Sequence, residues 1–129
     1  MMICDDEPDL LNLFGMAFKS RYNVILVSSG KECITKFIEE KKRGNRIDLL
    51  LLDFKINDMS GDLISRKIKE YGETKIILIS AYNLDDSLLK DLEESGCITR
   101  FVKKPISLSS LIELVVDTIN QMETVSQHR

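Results

Sequence analysis

The stretch Ile47-Asp48-Leu49-Leu50-Leu51-Leu52-Asp53 places four consecutive leucines directly before a carboxylate. A short apolar run bounded by charge is typical of a strand buried on both faces of a parallel sheet. Periodicity alone would also fit a helical segment, but the charged residues before the run and the Gly61 loop after it leave too little length. We therefore predict a central strand over 48–53 that ends at Asp53. In open α/β sheets, ligands bind at this carboxyl edge.

The composition is that of an ordinary globular protein with one core. The chain has 129 residues, 43% hydrophobic and 30% charged, which is enough for one well-packed domain. The net charge of −3 gives no electrostatic reason to expect direct binding to nucleic acid or to an anionic membrane. No apolar run approaches the roughly 20 residues that cross a bilayer, and we expect no signal peptide at the N-terminus.

The cysteines and the single histidine exclude several kinds of site. Cys4, Cys33 and Cys97 are odd in number, lie far apart and form no C-x-x-C pair, which argues against zinc and redox sites. We expect them to be small apolar residues in a reducing cytoplasm. The histidine, His128, lies in the C-terminal tail, so a histidine-based catalytic or metal site within the domain is not expected.

Strand-like and helix-like patterns alternate along the whole chain. The apolar runs predict five strands, at 1–4, 22–27, 48–53, 75–80 and 98–103. Helical spacing and caps predict a helix after each strand: about 9–21, Ser29 to Gly44, Gly61 to Gly72, Asn83 or Asp85 to Gly96, and from Ser107 onwards. In the third helix we expect Leu63, Ile64, Ile68 and Tyr71 to face inward. This alternation predicts a (βα)₅ parallel sheet covered on both faces, with right-handed crossovers.

Polar side chains follow four of the predicted strands. Asp5 and Asp6 come after the first strand, Asp53 ends the third, Ser80 ends the fourth and Lys104 follows the fifth. Because the carboxyl ends of parallel strands share one edge, these groups should converge. Three neighbouring carboxylates raise one another's pKa unless a cation lies among them. Mg²⁺, a hard cation that binds carboxylates and phosphate oxygens, fits this set.

The hydroxyl and the ammonium group complete a pocket for a phosphoryl group. Ser80 and Lys104 would face the same point as the carboxylates, so their charges and hydrogen bonds could stabilise a phosphoryl group in transfer. Asp53 would be the covalent acceptor and would form an aspartyl phosphate. Each residue alone has a simpler interpretation as a turn or solvated strand-end residue, and the joint arrangement favours the phosphoryl site.

The motifs resemble those of the response regulator receiver domain of two-component signalling. The resemblance covers about residues 1–122, and five motifs occur in the expected order on the expected strand ends. They are Asp5-Asp6-Glu7-Pro8, Leu51-Leu52-Asp53, Ile56-Asn57-x-Met59-x-Gly61 in place of Met-Pro-x-Met-x-Gly, Ser80-Ala81, and Lys104-Pro105 with Phe101 before it. The resemblance implies a flavodoxin-like fold with strand order 2-1-3-4-5, a domain over 1–123 similar to a single-domain chemotaxis regulator, and a polar tail over 124–129.

The resemblance also assigns roles to the site residues. It implies that Asp6 and Asp53 bind Mg²⁺ together with the backbone carbonyl of Lys55, and that Asp5 binds it directly or through water. It implies that Asp53 is the phosphoacceptor, that Ser80 and Lys104 contact the phosphoryl oxygens, and that the Lys104–Pro105 peptide is cis. The phosphoryl donor would be a sensor histidine kinase or a phosphotransfer protein, and autodephosphorylation would return the domain to its starting state.

A switch function follows from the same resemblance. Ser80 and Phe101 would move on phosphorylation and remodel the surface formed by the fourth helix, fifth strand and fifth helix. That surface would bind a downstream protein target or a second copy of the chain.

Two departures and two alternative functions accompany this interpretation. The first strand is short, and Asn57 stands where the family loop has proline, which makes the loop less rigid. Lys55 and Tyr82 should flank the path of attacking water and tune the lifetime of the phosphoryl group. One alternative is a receiver-like scaffold that is never phosphorylated. The other is an enzyme on a flavodoxin-like fold, but Lys55 stands where an aspartate phosphatase needs a second Asp, and no G-x-G-x-x-G or P-loop follows the first strand.

Overall fold

The leucine run forms the central strand of a five-stranded parallel sheet. The computed structural model describes the backbone of residues 1–127 and the side chains of residues 1–121. The strands are β1 (Met2–Cys4), β2 (Ile25–Val27), β3 (Leu49–Asp53), β4 (Lys75–Ser80) and β5 (Arg100–Lys103). The helices are α1 (Pro8–Phe18), α2 (Gly30–Lys42), α3 (Gly61–Tyr71), α4 (Asp86–Glu94) and α5 (Leu108–Gln127). The sheet order is β2-β1-β3-β4-β5, with every neighbouring pair parallel, so the predicted architecture is confirmed.

The two faces of β3 belong to two separate cores. Leu50 and Leu52 pack in the core that α2, α3 and α4 cover, whereas Leu49 and Leu51 pack in the core that α1 and α5 cover. All four side chains are at most 1% exposed. Each buried leucine contributes about 1.5–3 kcal/mol relative to exposure, so this strand ties both layers of helices to the sheet.

The predicted helix caps determine where most helices begin and end. The Ser29 hydroxyl accepts a hydrogen bond from the Glu32 N–H at 3.0 Å, and the Ser107 hydroxyl accepts one from the Ser110 N–H at 3.1 Å. Of the two candidates before α4, it is Asp85 whose side chain caps the helix. Gly96 follows α4 with a φ of +76°, in the left-handed region that glycine adopts most easily.

Three boundaries differ from the sequence prediction by two residues or more, and two side chains differ from it in exposure. One of the three is the start of β5, which lies at Arg100 instead of residue 98. Helix α1 ends at Phe18 rather than near residue 21, and the next residues form a turn in which the Arg21 and Tyr22 N–H groups both donate to the Phe18 carbonyl. Strand β2 accordingly begins at Ile25 instead of residue 22. In α3, Leu63 and Tyr71 are exposed (43% and 44%) rather than inward-facing.

The composition of the inner face of α3 explains why Leu63 and Tyr71 are exposed. The residues that face the sheet are Gly61, Ile64, Ser65 and Ile68, which are all buried. Two small residues at this helical spacing let the helix approach the sheet closely. A prediction that counts only apolar side chains instead places Leu63 on that face.

Helix α5 overlaps the segment that the sequence predicts as a polar tail. The helix extends through Gln127, whereas the side chains of the predicted tail at 124–129, including His128, lie outside the described residues. Among the helices that the structure describes, none is long and apolar enough to cross a membrane. The Lys104–Pro105 peptide is cis, as the resemblance implies.

Candidate functional site

The three predicted carboxylates meet at the carboxyl edge of the sheet. Strands β1 and β3 are neighbours, with Cys4 paired to Leu52, so the residues that follow, Asp5 and Asp53, lie side by side. One carboxylate oxygen each from Asp5, Asp6 and Asp53 lies within 4.8 Å of the other two. We call these three residues the acidic cluster. Their convergence results from strand register, because each carboxylate directly ends or follows a strand.

Lys104 provides the positive charge beside the acidic cluster. Its ammonium nitrogen lies 3.0 Å from Oδ1 of Asp53 and 3.9 Å from Oδ2 of Asp5. The backbone N–H of Lys104 donates to the carbonyl of Ser80 at 2.8 Å, which fixes the chain just beyond β5 against the end of β4. One ammonium group therefore pairs with two of the three carboxylates, and the side chains of Asp5 and Asp53 are only 3% and 13% exposed.

Burial raises the pKa of Asp5 and of Asp53. Asp5 is 2% exposed, and its pKa is raised by burial and by the charge of Asp53, against a hydrogen bond from the Glu7 N–H and the charge of Lys104. The pKa of Asp53 is also raised by burial, and the hydrogen bond and charge of Lys104 oppose this. Lys104 alone therefore does not offset the cost of gathering these charges away from water.

The acidic cluster fits a hard divalent cation. Mg²⁺ takes oxygen ligands, usually one or two carboxylates with waters and phosphate oxygens, and Asp5, Asp6 and Asp53 offer this donor type within reach of one another. A cation here would also offset the negative charge that Lys104 leaves unpaired. The residues that would hold it are these three aspartates.

Two further predicted residues, Ser80 and Phe101, lie at the end of β4 and within β5. Ser80 is 1% exposed, and its hydroxyl oxygen accepts a hydrogen bond from the Tyr82 N–H at 2.9 Å. Phe101 is half-buried in β5 and packs against the core that α4 helps to cover. The structure thus places the hydroxyl at the same edge as the acidic cluster and the aromatic ring on the α4 side of the sheet.

Lys55 and Tyr82 pair across the two loops that follow β3 and β4. The Lys55 ammonium donates to the Tyr82 hydroxyl at 3.2 Å and lies 5.0 Å from the centroid of its ring. The side chain of Lys55 is therefore directed toward Tyr82 and not toward the acidic cluster. Its backbone carbonyl remains the group through which Lys55 would contribute to a cation site.

The sequence did not reveal how the loop between β3 and α3 is held. The Asp58 carboxylate accepts hydrogen bonds from the N–H groups of Gly30 (2.8 Å) and Lys31 (3.0 Å), at the start of α2. The Asn57 N–H donates to Oδ2 of Asp6 at 2.9 Å. These partners are remote along the chain. In the sequence, Asn57 and Asp58 are a pair of polar residues in a loop, and such pairs are too common to indicate these contacts.

A family comparison identifies this arrangement. The model of the response regulator receiver domain matches residues 1–116. The chain belongs to this family. It is a receiver domain of the kind found in two-component response regulators, and receiver domains are generally phosphoacceptors without enzymatic activity of their own.

Individual relatives agree with this membership. Sporulation initiation phosphotransferase F of Bacillus subtilis is 28% identical over 117 residues, and the match covers 89% of each chain. A CheY-like receiver domain protein from Methanospirillum hungatei has a TM-score of 0.80 at 19% identity, over 95% of this receiver domain and 94% of that chain, and therefore supports the fold. The structure of a CheX–CheY–BeF₃–Mg²⁺ complex from Borrelia burgdorferi matches with a TM-score of 0.77 and 25% identity, over 90% and 85%.

Other curated relatives are much longer than this receiver domain. It spans 28%, 51% and 49% of the length of three regulatory proteins, among them the transcriptional regulatory protein QseF of Escherichia coli O157:H7. The shared part of these proteins is therefore the receiver domain itself.

Proposed function

We propose that this receiver domain accepts a phosphoryl group on Asp53 from the phosphohistidine of a sensor histidine kinase or a phosphotransfer protein. The observation that carries the proposal is the 3.0 Å contact between the Lys104 ammonium and Oδ1 of Asp53, beside two further carboxylates of the acidic cluster. An isolated strand-end aspartate would have neither the cation partner nor the neighbouring acids.

The chemistry follows from this geometry. A carboxylate oxygen of Asp53 attacks phosphorus; the new P–O bond forms as the P–N bond of phosphohistidine breaks, and the imidazole nitrogen keeps the electron pair. Lys104 and Ser80 orient the phosphoryl oxygens, so catalysis comes from positioning and charge. When bound by the acidic cluster and the Lys55 carbonyl, Mg²⁺ supplies positive charge for the phosphoryl oxygens. A relative of 25% identity, CheY of Borrelia burgdorferi, forms a complex that contains BeF₃ and Mg²⁺.

Phosphorylation of Asp53 would change the surface of the domain, and this change would be its output. Ser80 accepts a hydrogen bond from the loop after β4, so a shift of its hydroxyl toward a phosphoryl group would release the Tyr82 N–H. Phe101, half-buried beside α4, would turn inward as this loop moves. The surface of α4, β5 and α5 would then differ in its affinity for a downstream target or a second copy, in the cytoplasm.

The proposal also includes slow loss of the phosphoryl group to water. The Lys55–Tyr82 pair lies over the loops that flank Asp53 and Ser80, where it would control how water reaches the phosphorus. The lifetime of the phosphorylated state would thus depend on these two side chains.

Incubation with acetyl phosphate and Mg²⁺ tests the proposal. Intact-mass spectrometry should show one added phosphoryl group on the wild-type chain and none on Asp53→Asn. Asp48→Asn is a matched control, because Asp48 precedes the same strand but pairs with Arg46 on the exposed surface, 3.0 Å away. Absence of Mg²⁺-dependent phosphorylation and of beryllofluoride binding in the wild type would refute the proposal. Equal partner affinity of wild type and Asp53→Ala would instead favour a scaffold.

A further inference from the structure

One carboxylate of the acidic cluster is held by a backbone group of the loop between β3 and α3. The Asn57 N–H donates to Oδ2 of Asp6 at 2.9 Å, although the two residues are 51 positions apart in the chain. The receiver-domain loop that this segment resembles has proline at the place of Asn57. Proline lacks an N–H, so a chain that follows the common pattern lacks this donor.

The loop that carries Asn57 is itself fixed at several points. The Asp58 carboxylate accepts hydrogen bonds from two N–H groups at the start of α2, and these bonds lower the pKa of Asp58, so its charge is maintained. At the base of the loop, the Gly61 N–H donates to the Phe54 carbonyl at 2.6 Å. The Asn57 N–H is therefore presented from a constrained segment.

A fixed donor matters for Asp6 because its neighbours repel it. Asp6 is half-buried, and its carboxylate lies beside those of Asp5 and Asp53. Without a partner, rotation of this side chain toward solvent would relieve the repulsion between like charges. The Asn57 N–H opposes that rotation, because a hydrogen bond to a charged acceptor is stronger than one between neutral groups.

We propose that the backbone N–H of Asn57 is a positioning group that holds Asp6 in place for a divalent cation. This inference rests on the proposed function, which assigns Asp6 to the Mg²⁺ site. The residue at the place of the family proline thus contributes to cation affinity through its N–H and not through its side chain. Loss of an outer hydrogen bond to a metal-binding group typically weakens the affinity 10- to 100-fold, and we expect about tenfold here.

Two substitutions at one position separate the N–H from the side chain. Asn57→Ala keeps the N–H and removes the amide side chain, whereas Asn57→Pro removes both. Titration calorimetry with MgCl₂ should give Asn57→Ala the affinity of the wild type and Asn57→Pro an affinity about tenfold weaker. Circular dichroism and thermal unfolding in EDTA would verify that both variants are folded.

Failure of this inference is distinguishable from failure of the proposed function. Equal Mg²⁺ affinity of Asn57→Ala and Asn57→Pro, with binding by the wild type, would overturn the inference alone. Absence of Mg²⁺ binding by the wild type would overturn the proposed function and the inference with it.

A second measurement does not depend on the proline variant. In the metal-free wild type, the Asn57 amide should be protected from hydrogen exchange, and Asp6→Ala should remove that protection. The Gly61 amide is an internal control, since its bond to the Phe54 carbonyl is unaffected by that substitution. An unprotected Asn57 amide in the wild type, or protection that survives Asp6→Ala, would contradict the inference.

Discussion

Replacement of Asp5 by Asn should stabilise the metal-free protein. Asp5 is 2% exposed, and its Oδ1 accepts a hydrogen bond from the Glu7 N–H at 2.9 Å. The amide oxygen of Asn can keep that bond, while its uncharged side chain no longer repels Asp53 and Asp6. The substitution therefore removes a charge with little change in shape.

The magnitude follows from the charges around Asp5. At an effective dielectric constant of about 20, attraction to Lys104 at 3.9 Å is worth about 4 kcal/mol, and repulsion from Asp53 at no more than 4.8 Å costs about 3.5 kcal/mol or more. These nearly cancel, so the cost of burying the carboxylate decides the sign. The pKa of Asp5 is raised mainly by burial, so the ionised carboxyl group destabilises the folded state. A buried polar group without full compensation typically costs about 1–3 kcal/mol, and we expect Asp5→Asn to gain about 1–2 kcal/mol near neutral pH.

The pH dependence of this gain is determined by the sign of the shift. A carboxyl group whose pKa is raised by folding binds its proton more tightly in the folded state, so its ionisation destabilises the wild type as the pH rises through the folded pKa. The wild type and Asp5→Asn should thus be nearly equal in stability below the unfolded pKa, about 4, and diverge above it. Urea unfolding in EDTA across this range measures the difference.

Addition of Mg²⁺ should reverse the order of the two proteins. The wild type gains about 2.7 kcal/mol at a Mg²⁺ concentration 100 times its dissociation constant, whereas Asp5→Asn has lost one ligand and gains less. Asp48→Asn, with its exposed partner Arg46, should match the wild type within about 0.5 kcal/mol under every condition. A destabilised Asp5→Asn in EDTA at neutral pH, or a gain that persists below about pH 4, would refute the reasoning.

Two further substitutions test the ammonium group of Lys104 and the close packing around Gly61. Lys104→Met should lower stability in EDTA by about 1–2 kcal/mol near neutral pH, because Asp53 loses its 3.0 Å partner; the loss should shrink in acid, and acetyl phosphate labelling should fall sharply. Gly61→Ala should cost about 1–3 kcal/mol in urea unfolding, since an added Cβ would lie 2.7 Å from Leu78 Cδ1 and 2.8 Å from the Phe54 backbone. A Lys104→Met variant that is equally destabilised at all pH values, or a Gly61→Ala variant as stable as the wild type, would contradict these expectations.

The elements that were predictable from sequence are those with a single consistent pattern. The four leucines of β3 are all buried, and a run of this kind fits a strand between two layers of helices. The inward face of α3 was less predictable, because Gly61 and Ser65 take places that a count of apolar residues assigns to Leu63. Close approach of a helix to a sheet requires small residues, and hydrophobicity alone does not indicate this requirement.

Some residues of the site could be predicted from sequence and others could not. The convergence of Asp5, Asp53 and Lys104 could be predicted because the ends of parallel strands share an edge. The contacts of Asn57 and Asp58 could not be predicted, because they depend on the path of a loop across α2 and β1. Strand topology constrains the first group, whereas tertiary packing of irregular backbone determines the second.

The strand that stabilises the fold also creates the electrostatic cost of the site. Leu49 to Leu52 are buried on both faces of β3, and Asp53 follows them at an edge where water is scarce. Burial of the Asp53 carboxyl group raises its pKa. Apolar burial along β3, at about 1.5–3 kcal/mol for each leucine, exceeds that cost, so the fold tolerates an unbalanced acidic cluster. A cluster left short of positive charge responds strongly to any new cation or phosphoryl group. The stability of the domain should therefore depend on its ligand state, and the proposed change of charge at Asp53 would act on the loops that Ser80 and Lys104 anchor.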